Sequence, residues 1–335
     1  MKRFLAMMLT LMLIMTCLAV PALADTLDLS VAVVLAGTQG DRSFYDSSVE
    51  GLNQLVADYG VTPKIFECKE DASLYESSLV TAAENCDVVI AVGWQFWDAL
   101  CGTEKTPGVP VDFPETKFIF IDNGLDGVGD NLMSIIYKQN EGSFLVGYIA
   151  GTMSKTGKIG VVGGEDSDTI NDFIVGYEAG EQYAKADTVV ERKYTDDYED
   201  PAKGKEAALA LYDMGCDIVF AVAGKTGVFE AAAETGNYAI GVDSDQKYIN
   251  PDVILCSMIK QVNLSIEQAV TAYATEGTWM GGQIWVADMA TGLIDVGYGD
   301  DTMTQQVSDE LKAEVEEIKA QIIAGEIEVP TAFVG

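Results

Sequence analysis

The sequence predicts an α/β protein built as two doubly wound lobes. Three observations carry this. Short runs such as IGVVGG and IVFAVAG are apolar throughout, which marks strands of parallel sheets covered on both faces. Helix-like stretches alternate with these runs. The alternation also occurs twice, in the same order, along the chain. In such sheets ligands bind beyond the carboxyl ends of the strands, so the strand-exit loops become the candidate site.

The first unit begins with the strand SVAVVLAG, which leads into the loop GDRSF and the helical stretch VEGLNQLV. Its counterpart is KIGVVGGED, leading into SDTIN and VGYEAGEQYA. Ser47 and Glu50 fit a capping box, which predicts that the first helix starts just after Phe44-Tyr45-Asp46. The helical DASLYESSLVTAAEN precedes the strand CDVVIAVG from Cys86, as DPAKGKEAALALYDMG precedes CDIVFAVAG from Cys216. Asp200-Pro201 reads as an N-cap followed by proline at the first helical position. Each half then has a strand ending in aspartate, KFIFIDNG and YAIGVDSD. The exit loops are therefore 37–46, 93–97, 122–126, 163–171, 195–200, 224–227 and 243–246. Phe44 and Tyr198 fall at equivalent edges of a crevice, one on each lobe.

The chain has 335 residues, 48% of them hydrophobic, which is enough for two domains with cores. Its net charge is −33, so nucleic acid and anionic lipid are poor partners. The absence of histidine removes Ser-His-Asp and Cys-His catalysis and any imidazole metal ligand. The six cysteines form no CxxC pair, and loss of Cys17 with the signal segment leaves an odd number, which argues against a full disulfide framework; Cys86 and Cys216 read as small buried thiols.

Residues 1–24 combine a basic start, an apolar run and Ala22-Leu23-Ala24, the pattern of a secretory signal. Removal after Ala24 leaves a net charge of −35, from −33 less the charges of Lys2 and Arg3. Lipidation at Cys17 fits less well, because Thr16 precedes it and an apolar LAVPALA follows. The mature chain is expected to be extracytoplasmic.

Several fragments imitate catalytic signatures. Gly224-Lys225-Thr226 suggests a phosphate loop, but Val219 stands where its first glycine belongs. Ser257 to Lys260 matches SxxK, yet Lys225-Thr226-Gly227 precedes it instead of following. GVVGGE lacks dinucleotide spacing, and the acidic clusters lack calcium-loop spacing. No cofactor or metal is called for.

The chain resembles the basic membrane protein family of extracytoplasmic solute-binding proteins, the purine-nucleoside receptor type of ABC-transporter component. The resemblance rests on GDRSFYDS, EGSFLVGYIAG, KTGKIGVVGG with FIVGYEAG, DPAKGKEAALALYDMGCDIVFAVAG, YAIGVDSDQ and CSMIKQV, in the family's order. It implies a type I periplasmic-binding-protein fold with a ligand cleft between the lobes and three crossings. The lobes are then 25–137 plus 263–297, and 138–262 plus 298–335. It also implies a monomer that serves a membrane permease.

By position, the resemblance makes Phe44 and Tyr198 the rings that stack on a base. Asp243 and Lys260 would hold the ribose, Gly224 would let backbone approach, and Asp122 would read the base edge. Asp41, Tyr45 and Trp94 complete the candidate set. Tyr45 stands where relatives usually have asparagine, and Leu35-Ala36-Gly37 offers no acid where relatives often have one.

Plainer roles fit the same residues. Phe44 could staple its own helix, Tyr198 could be a loop tyrosine, and the aspartates could be turn formers. Lys260 could be a solvated lysine, and Trp94 could cap the lobe core. A pentose-type ligand, a sensor role and a secreted glycoside or nucleoside hydrolase using Asp41, Asp122 or Asp243 are the competing functions.

Overall fold

A computed structural model describes residues 26–104, 106–185 and 187–333. The signal segment and Cys17 lie outside them. The six strands expected from the apolar runs are present, and with six others among the described residues they form two six-stranded sheets. The first half supplies β1 (Ser30–Leu35), α1 (Phe44–Tyr59), β2 (Thr62–Glu67), α2 (Tyr75–Ala83) and β3 (Val88–Val92). The short helices α3 (Trp97–Cys101) and α4 (Val109–Asp112) follow, then β4 (Lys117–Ile121) and β5 (Leu132–Tyr137). The second half runs α5 (Gln139–Met153), β6 (Lys158–Gly163), α6 (Asp168–Ala184), β7 (Val189–Tyr194), α7 (Pro201–Asp213), β8 (Ile218–Ala221), α8 (Lys225–Thr235), β9 (Tyr238–Asp243) and β10 (Ile254–Lys260). The chain closes with α9 (Val262–Glu276), β11 (Ile284–Ala287), β12 (Ile294–Gly297) and α10 (Asp309–Ile323).

The sheet of lobe 1 has the order β11-β5-β4-β3-β1-β2 and that of lobe 2 the order β12-β10-β9-β8-β6-β7. All pairings are parallel except β10 with β12. The chain passes between the sheets three times, after β5, after β10 and between β11 and β12. One expected boundary moves. Residues up to 297 were assigned to lobe 1, but β12 pairs antiparallel with β10 in lobe 2. A four-residue strand carries too little pattern to declare its sheet.

Burial explains the apolar runs. Val31 to Leu35 and Val88 to Val92 are wholly inaccessible to solvent, as interior strands packed on both faces must be. In lobe 2, glycines bring α5 and α6 together. A Cβ on Gly147 would lie 2.1 Å from the Tyr177 carbonyl oxygen, and one on Gly180 would lie 1.9 Å from that of Phe144. Among the described residues the cysteines are free thiols, and Cys86 and Cys216 are buried. No described helix is long and apolar enough to cross a membrane.

The start of α1 differs from the expectation. The helix begins at Phe44, not after Asp46, and its N-cap is Ser43. The Asp41 carboxylate takes over the capping. It accepts from the backbone N–H groups of Ser43, Tyr45 and Asp46 at 3.0 to 3.2 Å. Ser47, the supposed cap, instead accepts from the Asn263 N–H at the start of α9. The expected cap at Asp200 is present, with its carboxylate accepting from the N–H groups of Ala202 and Lys203.

Candidate interlobe binding site

The exits of β1, β3 and β4 in lobe 1 face those of β6, β7, β8 and β9 in lobe 2. Between them lies a cavity with about 580 Å³ of space between atoms. That figure takes in open solvent, and the space that water itself can occupy is about 60 Å³. Asp41, Phe44, Tyr45, Trp94, Asp122, Tyr198, Asp243 and Lys260 all line it. Gly224 is not among the lining residues. It caps α8 with φ +57, and a Cβ there would sit 2.5 Å from the Gly204 Cα. Its freedom serves the packing of α7 on α8, so the backbone approaches another helix and not the cavity.

The two lobes are clamped together around the cavity. Asp122 directly follows β4 and pairs with Lys260 at the end of β10. Asp243 ends β9, and its Oδ2 accepts from the Ser43 hydroxyl across the cleft. Both aspartates have left-handed backbone, φ 79 at Asp122 and φ 65 at Asp243. Aspartate tolerates that region better than most residues, and such strain clusters at binding sites. Burial pushes the Asp122 carboxyl up, and the Lys260 ammonium pulls it back.

Lys260 is no solvated lysine. It is 1% exposed, and its ammonium lies 4.9 Å from the ring centres of Phe44 and Tyr137 and 5.3 Å from that of Phe173. Phe44 is the first residue of α1, so it cannot be the staple that precedes a cap. Across the cavity, the Tyr198 ring lies on the backbone of Gly164, where a Cβ would come within 2.5 Å of Cε1. Its hydroxyl accepts from Trp94 Nε1 at 3.4 Å. Burial, opposed by that bond, pushes the Tyr198 hydroxyl up to about 12, so the phenol keeps its proton at neutral pH.

Two further carboxylates spend themselves on closure. Asp41, already capping α1, faces the Lys225 ammonium of lobe 2 at 3.6 Å. Both oxygens of Glu199 accept from Thr38 of lobe 1, from its N–H at 3.1 Å and its hydroxyl at 2.8 Å. Tyr45 packs with Glu199 over Gly37, whose Cβ would meet the Tyr45 ring at 2.4 Å. Burial, reinforced by Glu70, Glu199 and Asp41, holds the Tyr45 hydroxyl well above its usual range.

The sequence reading missed Gln95, Phe173, Glu199 and Lys225, all of which line the cavity. Lys225 was in view, but only as part of a failed phosphate loop. Its place in a strand-exit loop was the usable signal. Phe173 sits one turn into α6, beyond the exit loop, where no local pattern marks it.

The fold and site have counterparts among known proteins. The chain is 31% identical over 331 residues to the ABC transporter nucleoside-binding protein BmpA of Lactococcus lactis, covering 91% of this chain and 90% of that one. It is 30% identical over 307 residues to basic membrane protein A of Borreliella afzelii, covering 90% and 91%. An ABC transporter solute-binding protein from Aeropyrum pernix K1 superposes with a TM-score of 0.79 at 26% identity, covering 90% of this chain and 94% of that one. A second such protein, from Conexibacter woesei, has a TM-score of 0.73 at 23% identity and shares the fold. The family described as ABC transporter substrate-binding protein PnrA-like matches residues 29–332. That span takes in both sheets and every wall of the cavity, and it makes the chain a binding protein, not an enzyme. The chain belongs to the Bmp family of ABC-transporter substrate-binding proteins.

Proposed function

We propose that this substrate-binding protein takes a nucleoside, a purine nucleoside first of all, between its lobes. The observation that carries the reading is that Phe44 and Tyr198, from opposite lobes, line one cavity together with Asp122, Asp243 and Lys260. A base between the two rings gains about 1–3 kcal/mol from stacking. Asp122 Oδ2 and Asp243 Oδ1 take part in no hydrogen bond within the described chain, and each can accept from a ribose hydroxyl. Lys260 donates beside them. On this reading Asp122 joins the ribose group in place of the base edge.

Charge favours a nucleoside over a nucleotide. The cavity wall carries Asp41, Asp122, Glu199 and Asp243 against Lys225 and Lys260. A phosphate would add negative charge to an excess of negative charge. The relative from Lactococcus lactis is named as nucleoside-binding, which supports the same ligand class.

On this reading the mature protein starts after Ala24 and works outside the cytoplasm as a monomer. It hands its ligand to a membrane permease. The test is thermal unfolding of ligand-free protein against nucleosides, nucleoside monophosphates, free bases and ribose. Ligands that bind only the folded state raise the melting temperature by mass action. Purine nucleosides are expected to give the largest rise. Stabilisation by ribose alone, or by none of the panel, would overturn the proposal.

A further inference from the structure

Gln95 is a polar residue in an aromatic setting, on the short turn Trp94–Phe96 that leaves β3. It lines the interlobe cavity beside Trp94. Its carboxamide oxygen is shut off from solvent and accepts no hydrogen bond. Among the described residues lining the cavity, it is the one with a buried, unpaired side-chain polar atom. Buried acceptors are nearly always paired, because stranding one away from water is costly.

The position of this oxygen is fixed by its neighbours. Gly93 has φ 122, and a Cβ there would lie 2.5 Å from Gln95 Oε1 and 3.1 Å from the Ala36 Cβ. The carboxamide therefore rests in the space that Gly93 leaves open, against the exit of β1. The donor beside it is engaged elsewhere, since Trp94 Nε1 binds the Tyr198 hydroxyl. Glu199, which also lines the cavity, has both oxygens on Thr38. The neighbours of Gln95 Oε1, Gly93 and Ala36, both belong to lobe 1, and among the described residues no donor reaches the oxygen.

We infer that Gln95 determines specificity by accepting a hydrogen bond from an N–H group on the edge of the bound heterocycle. The inference rests on the nucleoside reading above. It narrows the ligand class to bases carrying an amino or ring N–H on the edge that meets the β1 and β3 exits. A ligand with that donor satisfies Gln95. A ligand without it leaves the acceptor stranded, and a site built around a hydrogen bond rejects such analogues strongly.

The experiment is calorimetric titration of adenosine, inosine, guanosine and purine riboside, whose unsubstituted base has no N–H. Wild type, Gln95→Leu and Gln95→Glu are compared. Wild type is expected to bind its preferred donor-bearing nucleoside about 10- to 100-fold more tightly than purine riboside. Gln95→Leu should shrink that ratio to about threefold or less by losing the donor-bearing ligand while keeping purine riboside. Gln95→Glu retains an acceptor and should retain the preference. If the leucine variant does not fold, Gln95→Met makes the same test.

Equal weakening of all four ligands in the leucine or methionine variant would overturn the inference. So would an unchanged ratio, or a wild type that binds purine riboside as tightly as the others. Those results leave the nucleoside reading standing. A wild type that binds no nucleoside removes both.

Discussion

The exits of β4 and β9 are the same structure used twice, once in each lobe. Each exit carries an aspartate with left-handed backbone, and each aspartate is held by a group from the other lobe. They differ in the holder. Asp122 receives an ammonium, from Lys260, whereas Asp243 receives a hydroxyl, from Ser43. The ammonium also lies against three aromatic rings, and the hydroxyl belongs to the residue that opens α1. At these two exits, lobes of similar plan thus meet through one charged clamp and one neutral clamp. The charged clamp should matter more, because removing one partner of a buried ion pair strands the other charge.

Lys260→Met gives the largest expected effect. It strands the Asp122 carboxylate whenever the lobes close, and breaking such a pair costs about 3–5 kcal/mol. The cost falls on closure, because the open cleft returns the carboxylate to water. Ligand affinity should fall about 100-fold or more, while the unfolding of ligand-free protein in urea changes less. Adding Asp122→Asn to Lys260→Met should recover part of the loss. A single variant with full affinity would break the comparison.

Ser43→Ala should cost less. It removes one hydrogen bond to the Asp243 carboxylate, an effect of about tenfold in affinity. The Ser43 side chain makes no capping bond to α1, so helix stability should be unchanged by circular dichroism. An affinity loss as large as that of Lys260→Met would erase the distinction between the clamps.

The smallest effect belongs to an acid that no clamp holds. Burial, then Glu199, Asp197 and Glu165 of lobe 2, push the Glu70 carboxyl of lobe 1 up to about 7, with Lys203 pulling it back. The folded protein therefore binds this proton more tightly than the unfolded chain, whose value is near 4.5. Its stabilising contribution is complete below about 4.5 and is lost as pH rises through about 7. The melting temperature should fall less steeply between pH 5 and 8 in Glu70→Gln than in wild type. Because Glu70 is exposed to solvent, the difference should shrink with added salt. Superimposable curves would show that Glu70 does not sense the opposite lobe.

The clamps also show what the sequence made legible. Asp122 and Asp243 could be found because buried parallel strands announce themselves as apolar runs, and the next residue is then an exit. The pairing of Asp122 with Lys260 could not, because it depends on how two lobes meet across 138 positions of chain. The start of α1 was misread for a related reason. Ser47 and Glu50 have the spacing of a cap, but a carboxylate outside the helix, Asp41, does the capping. Asp41 thus supports the helix that carries Phe44 while it also lines the cavity. Gln95 has no motif around it, and only its burial without a partner singles it out.

The central claim is that a base lies between Phe44 and Tyr198. Its most direct test is calorimetric titration of a purine nucleoside into protein that has been unfolded, dialysed and refolded, in wild type, Phe44→Ala and Tyr198→Ala. Wild type should bind one nucleoside per chain, and each ring should contribute about 1–3 kcal/mol of affinity. A nucleoside bound equally well after the loss of either ring would contradict the account.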